Sequence, residues 1–211
     1  ILDVFITFEG GEGAGKTTLI NRLYETFLKQ GKSVLKTRAP GGTRVGDLVR
    51  DLLLHKKGYA LSPRAELLLF LADRAQHVEE IIKPALSSKT VVLCDRFNDS
   101  TIAYQGAARG LGEEIVKNLC HFATDRLEPT LTFYLDLDPR IGLMRVQDRP
   151  QDRIEEEKLS FHETIRKSYL RIAEQEKERF YALDASQSTE NVFLQACRIL
   201  EKKNAFCTPS W

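Results

Sequence analysis

Apolar positions along the chain follow two periods. Leu19, Ile20, Leu23, Tyr24, Phe27 and Leu28 recur every three or four places, the spacing of one helix face, and Gly31 follows where a helix takes a left-handed terminator. A helix is therefore predicted over about 16–30, preceded by a short strand in ILDVFITFEG. SVLKT reads as the next strand, APGGT breaks it into a loop, and a helix follows to about residue 54. Ser62 and Pro63 form a cap and first-turn pair opening a long helix through AELLLFLADRAQHVEEII, expected to end near Pro84; its wide apolar face suits a buried position. TVVLCD is a continuous β-branched apolar run, the pattern of a strand covered on both faces. LTFYLDL repeats that pattern and FYALDA is a weaker third case. Helical spacing recurs near 113–123, 139–149, 155–179 and 190–203, with SSK and DRPQD as loops and CTPSW as a frayed end. Strand alternating with helix along the whole chain predicts an α/β architecture: a doubly wound parallel β-sheet of about five strands flanked by helices. At 211 residues, one domain spanning 1–211 is expected.

Charge narrows the partners. With 31 basic and 30 acidic residues the net charge is +1, so no global field favours nucleic acid or anionic lipid, and an anion must be bound locally. No run of about 18 apolar residues is present to cross a bilayer, and the opening residues lack the basic start and cleavage site of a secretory signal. Cys94, Cys120, Cys197 and Cys207 show neither CxxC nor framework spacing, which fits a reduced, cytoplasmic setting. His55, His77, His121 and His162 are scattered and suggest no zinc site.

The most informative stretch is FITFEGGEGAGKTT. Residues 10–17 fit G-x-x-x-x-G-K-[ST] with a strand before and a helix after, the context that gives the pattern meaning. Glycines let successive backbone N–H groups turn inward around a phosphate, and the helix start adds unsatisfied donors and the positive end of its dipole. Lys16 supplies charge to β- and γ-phosphates, and the Thr17 hydroxyl is a candidate Mg²⁺ ligand. Nucleoside triphosphate binding follows, leaving GTPase, ATPase motor and small-molecule kinase open. No N-K-x-D base-reading motif of a GTPase is found. VVLCDRF ends in a single acid, Asp95, followed by Arg96; a cation at a strand's carboxyl end suits a second, phosphate-bearing substrate, whereas pairing with Asp99 is the plain structural alternative.

Several segments, FITFEGGEGAGKTT, TRAPGGT, ELLLFLADRAQ, DRFNDSTIAYQGAARGL and DRIEEEKLSFHETIRKSYL, together resemble the bacterial thymidylate kinases, in order and spacing, over nearly the whole chain. DRFNDSTIAYQG is the most specific, being similar to that family's DR[YFH]-x-x-S-x-x-AYQ signature. The resemblance implies a P-loop kinase fold with a short arginine-bearing lid at about 145–155, and transfer of the γ-phosphoryl group of ATP, with Mg²⁺, to dTMP. It implies that Gly10, Gly11, Glu12, Gly13, Ala14, Gly15, Lys16, Thr17 and Thr18 hold the triphosphate. Phe70 would stack on thymine and Arg74, one helical turn on, would read the base edge; Arg96 would bind the acceptor phosphate and Asp95 would lie near Mg²⁺ or its waters. Glu9 would sit near the sugar 3′-hydroxyl, with Ser100, Tyr104 and Gln105 as further sugar and base contacts and the Tyr104 ring crowding the 2′ position.

No basic residue occupies the variable loop positions Gly11, Glu12, Gly13 and Ala14, so the missing charge is expected from the lid. Arg145, Arg149 and Arg153 fall four apart, with Pro150 ending the helix near Arg149, and Arg149 and Arg153 are expected to close over the triphosphate. Lys16, Arg96, Arg149, Arg153 and Glu9 form the expected catalytic set. Ala39 departs from the family pattern, which has Glu between Arg and Pro. The resemblance also implies a homodimer, through the helices after Pro63 and near Glu113. The alternatives are a deoxynucleoside kinase, another nucleoside monophosphate kinase, or a non-catalytic nucleotide-binding regulator.

Overall fold

A computed structural model describes residues 4–55 and 58–203, so the expected frayed end CTPSW and Cys207 lie outside the described residues. Five strands, β1 (Phe5–Glu9), β2 (Val34–Arg38), β3 (Val91–Asp95), β4 (Leu131–Asp136) and β5 (Phe180–Asp184), form one parallel sheet in the order β2-β3-β1-β4-β5. Phe5 stands opposite Val92 on β3, and Ile6 opposite Leu131 on β4. All five positions of β1 are buried, which accounts for the continuous apolar reading of the central strands.

Alternation along β1 divides the core. Ile6 and Phe8 join Leu23, Phe27, Phe133 and Leu200 in one cluster, under α1 (Lys16–Lys29) and α9 (Thr189–Lys202). Phe5 packs on the opposite face with Val92, Val78 and Ile82. A third cluster, containing Leu71, Tyr134, Tyr169 and Phe180, lies beneath α3 (Pro63–His77), α6 (Glu113–Ala123) and α8 (Leu159–Gln175). Two helices complete the frame: α2 (Arg44–Leu54), capped by Thr43, and α7 (Pro139–Val146), capped by Asp138. The Ser62 side chain accepts a hydrogen bond from the Ala65 N–H and Pro63 opens α3, as the sequence predicts.

Three helix boundaries differ from expectation. The segment after α3 does not stop near Pro84; a π-helical turn, Val78–Ile82, leads into α4 (Lys83–Ser87). The Lys83 N–H bonds to the Val78 carbonyl five residues back, and this widened turn accommodates a proline that lacks an N–H. The expected helix over 139–149 ends at Val146, and the one over 155–179 is confined to Leu159–Gln175. In addition, NDSTIAYQGAA is helical, with α5 (Asn98–Thr101) running into a π-helical stretch, Ile102–Ala108. Mid-helix π segments of this kind recur at functional sites.

β1 and β3 are neighbours at the point where the order of connections reverses, so the segments after their carboxyl ends, residues 10–15 and 96–97, open on one crevice.

Candidate active site

That crevice is a cleft of about 600 Å³. Its phosphate-loop side is the run after β1. Gly15 adopts a left-handed conformation immediately before α1, so the helix starts without a side-chain cap and leaves its first N–H groups for a ligand. Gly13 has φ +65, and a Cβ there would lie 2.3 Å from the Gly142 carbonyl oxygen on α7. Only glycine permits this approach. Lys16 Nζ donates to the carbonyl oxygens of Gly10 and Gly11, both at 3.1 Å. Burial, then the nearby Arg96, lowers its pKa from the ordinary lysine value.

The facing wall is carried by β3 and the helical segment after it. Arg96 is held at φ +70, an uncommon conformation for a side-chain-bearing residue. Its guanidinium donates to Glu12 Oε1 at 2.6 Å and to Ser100 Oγ at 3.2 Å, and lies 5.0 Å from the centre of the Tyr104 ring. Phe70 and the almost fully buried Arg74 come from α3. Arg74 lies over the Phe97 ring at 4.8 Å and donates to Asn98 Oδ1 at 3.4 Å, while its Nε has no partner.

Of the residues expected from sequence, Glu12, Gly13, Ala14, Gly15, Lys16, Thr17, Thr18, Phe70, Arg74, Asp95, Arg96, Ser100, Tyr104, Gln105 and Arg149 line this one cleft. Gly11 faces a separate cavity of about 20 Å³ behind the loop. Gly10, whose carbonyl receives Lys16, lines neither cavity, and Glu9 and Arg153 are elsewhere. Glu9 is the last residue of β1, and the strand's alternation turns it inward beside Phe5 and Thr7. Fully buried, it accepts from the Phe97 N–H at 2.7 Å, Ser100 Oγ at 2.5 Å and the Tyr169 hydroxyl at 2.9 Å. Burial, then the Asp99 charge, pushes its pKa up to about 7 against the Ser100 and Phe97 hydrogen bonds and the Arg96 charge. The acid of this segment that does line the cleft is Glu12, held below the usual carboxylate range by Arg96 and Lys16 despite its burial.

Arg153, expected to face the triphosphate, instead donates to Glu66 at 2.5 Å and to the Leu53 carbonyl at 3.0 Å. The lid arginines at the cleft are Arg149, paired with Glu155 at 2.5 Å, and Arg145, which donates to the Gly13 carbonyl at 3.1 Å. The helix ends at Val146, after Arg145 but before Arg149 and Arg153, so the four-residue spacing does not define one face. Thr101, Arg50 and Glu155 also line the cleft and were not anticipated. Thr101 was within reach of the sequence, since a helical reading of residues 98–108 puts it on the face of Tyr104 and Gln105. Tyr169, which steadies Glu9, reads as plain helix core among Ile165 and Ile172.

Mg²⁺ fits the donor set. Asp95 Oδ1 is buried without a hydrogen-bond partner, and the exposed Thr17 lines the same cleft. Among the described residues no group of three or more His, Cys, Asp or Glu that could hold a metal ion is present.

Known proteins point the same way. A family model described as thymidylate kinase matches residues 8–195. The thymidylate kinase of Protochlamydia amoebophila is 48% identical over 208 residues, covering 94% of this chain and 92% of its own. That of Desulfovibrio desulfuricans is 50% identical over 203 residues, covering 92% and 93%. The crystal structure of thymidylate kinase from Ehrlichia chaffeensis superposes with a TM-score of 0.77 at 34% identity, covering 93% of this chain and 98% of that one. With the glycine loop, the Asp95–Arg96 strand end and the Phe70–Arg74 pair gathered on one parallel sheet, the chain belongs to the thymidylate kinase family, whose members are phosphotransferases.

Proposed function

We propose that the chain transfers the γ-phosphoryl group of ATP to dTMP, giving ADP and dTDP, and that the cleft residues divide into a donor half and an acceptor half. The observation that carries this reading is that two cationic anchors, Lys16 in the glycine loop and Arg96 after β3, line one cleft beside a buried aromatic-arginine pair. The triphosphate belongs to residues 10–18, where the backbone donors and Lys16 meet it. The acceptor phosphate belongs to Arg96, whose present partner Glu12 holds the guanidinium until an anion replaces it. Phe70 stacks on the base and Arg74 reads its edge, since a flat ring and a forked donor suit a pyrimidine bearing carbonyl acceptors. Tyr104 and Glu12, both beside Arg96, fall to the sugar. Glu9 belongs to the support of Phe97 and Ser100 rather than to the sugar.

Thr17 and Asp95, the latter directly or through water, would hold Mg²⁺, which when bound bridges phosphate oxygens and offsets their charge. Two anions must meet without water as a competing acceptor, so positioning and cationic stabilisation carry the catalysis. Arg149 supplies mobile charge from the lid, its side chain being 52% exposed.

We further assign the exposed apolar residues Leu48 on α2, Leu68 on α3 and Ile115 and Phe122 on α6 to a homodimer contact, because α3 packs against both other helices and gathers them on one side. A cytoplasmic setting is supported by the buried free thiols of Cys94 and Cys120 and by a substrate drawn from the ATP pool. Among the described residues no helix is long and apolar enough to cross a membrane.

A coupled ADP-release assay across dTMP, dUMP, dGMP, dCMP and thymidine tests the assignment. ADP should appear fastest with dTMP and not at all with thymidine. Turnover with thymidine would make the protein a nucleoside kinase, and no ADP with any acceptor would make it a binding protein.

A further inference from the structure

Glu66, on the first turns of α3, is 1% exposed and outside the cleft wall, yet four side-chain donor contacts converge on its carboxylate. Oε1 accepts from Gln105 Nε2 at 2.8 Å and Arg109 Nε at 3.0 Å. Oε2 accepts from Arg109 Nη2 at 3.2 Å and Arg153 Nη2 at 2.5 Å. Arg109 donates onward to Glu157 at 2.6 Å, and the Arg153 backbone and side chain donate to the carbonyls of Leu54 and Leu53 at the end of α2. The two arginines and two glutamates balance in charge, so the cluster is stable only while complete.

We propose that Glu66 is a positioning residue that ties the stem of the lid, residues 153–157, to the acceptor half of the cleft; this rests on the reading of that half given above. Glu66 precedes Phe70 by four residues and so shares its face of α3. Gln105 lines the cleft while giving its amide N–H to Glu66. A carboxylate can only accept, which fixes the amide orientation and leaves the Gln105 side-chain carbonyl and its second N–H as available polar groups. The same carboxylate therefore orients Gln105 and holds Arg153. Carrying Arg153 to the triphosphate would break its bonds to Glu66, Leu53 and Leu54 together and leave a buried carboxylate half-neutralised. Arg153 is thus the anchor of the stem, and Arg149, half-exposed and paired with Glu155, is the lid arginine that lines the cleft. A filled acceptor pocket and a seated lid stem become parts of one rigid assembly.

The test uses the full-length protein with Glu66→Gln, Arg153→Met and the double variant. In the substrate-free protein, Glu66→Gln should speed amide hydrogen exchange across 153–157 while residues 16–29 exchange as before. In turnover it should lower kcat on the order of tenfold to a hundredfold and raise KM for dTMP, with KM for ATP little changed. The double variant should be no worse than the worse single one, because both remove one linkage. Should Glu66→Gln fail to fold, Arg153→Met with Arg153→Lys as rescue carries the same readouts. A carboxylate that only stabilises the fold would lower the thermal midpoint while kcat per folded molecule, both KM values and lid exchange stay as in the parent; that result overturns the proposal. If the parent itself makes no ADP with dTMP, the substrate assignment fails, and the exchange measurement still decides whether Glu66 anchors the stem.

Discussion

Glu9 and Glu12 stand three residues apart and live in opposite conditions. Glu9 ends a strand whose alternation drives its side chain into the core, where burial raises its pKa to about 7. Glu12 sits on the turn beyond, facing two cations that keep it ionised. The consequence for Glu9 is a pH dependence of stability. Its folded pKa lies above the unfolded value, so the folded state holds a proton that the unfolded state has released between about pH 4.5 and 7. The stability tied to that proton is complete below this window and is lost as pH rises through it. A shift of this size corresponds to roughly 3 kcal/mol. Glu9→Gln, which cannot ionise, should therefore gain stability relative to the parent as pH rises from 5 to 8, measured as the difference in thermal midpoints. A constant difference across that range would show that Glu9 keeps one protonation state. The glycine loop, Asp95 and Arg96 were readable one residue at a time, because their chemistry is declared by local order. The inward placement of Glu9 was not, because the face it shares with Phe5 and Thr7 is buried as fully as the opposite one, so a polar face here does not mark solvent.

At the scale of elements, the phosphate loop depends on a helix that the sequence motif does not contain. Gly142 on α7 presses on the loop so closely that a Cβ there would stand 2.2 Å from the Glu12 carbonyl oxygen. Gly142→Ala should move loop and helix apart, cost roughly 1–3 kcal/mol as overpacking, and weaken ATP binding by calorimetry more than dTMP binding. Equal loss of both ligands would point to general unfolding instead. The cap at Ser62 and the spacing of α1 were legible because a helix is specified by neighbours three and four residues away. The π-helical turns before Pro84 and through Tyr104 were not, since each inserts a residue into a helix whose composition looks ordinary.

For the whole molecule, the exposed apolar side chains on α2, α3 and α6 predict assembly. Phe122, 88% exposed, is the largest departure from an ordinary surface. Phe122→Glu combined with Leu48→Glu should convert a dimer to a monomer in light scattering at micromolar concentration; a parent that is already monomeric would refute the contact. Sequence alone determined the α/β layout, the five strands, the glycine loop and the family, because each is written in contiguous runs whose periods and turns follow from local geometry. Tertiary structure decided which of two similar residues lines the cleft: Glu12 rather than Glu9, and Arg149 rather than Arg153. The physical reason is distance along the chain. Arg153 is held by a buried carboxylate 87 residues away, and only the packed fold brings that charge within reach.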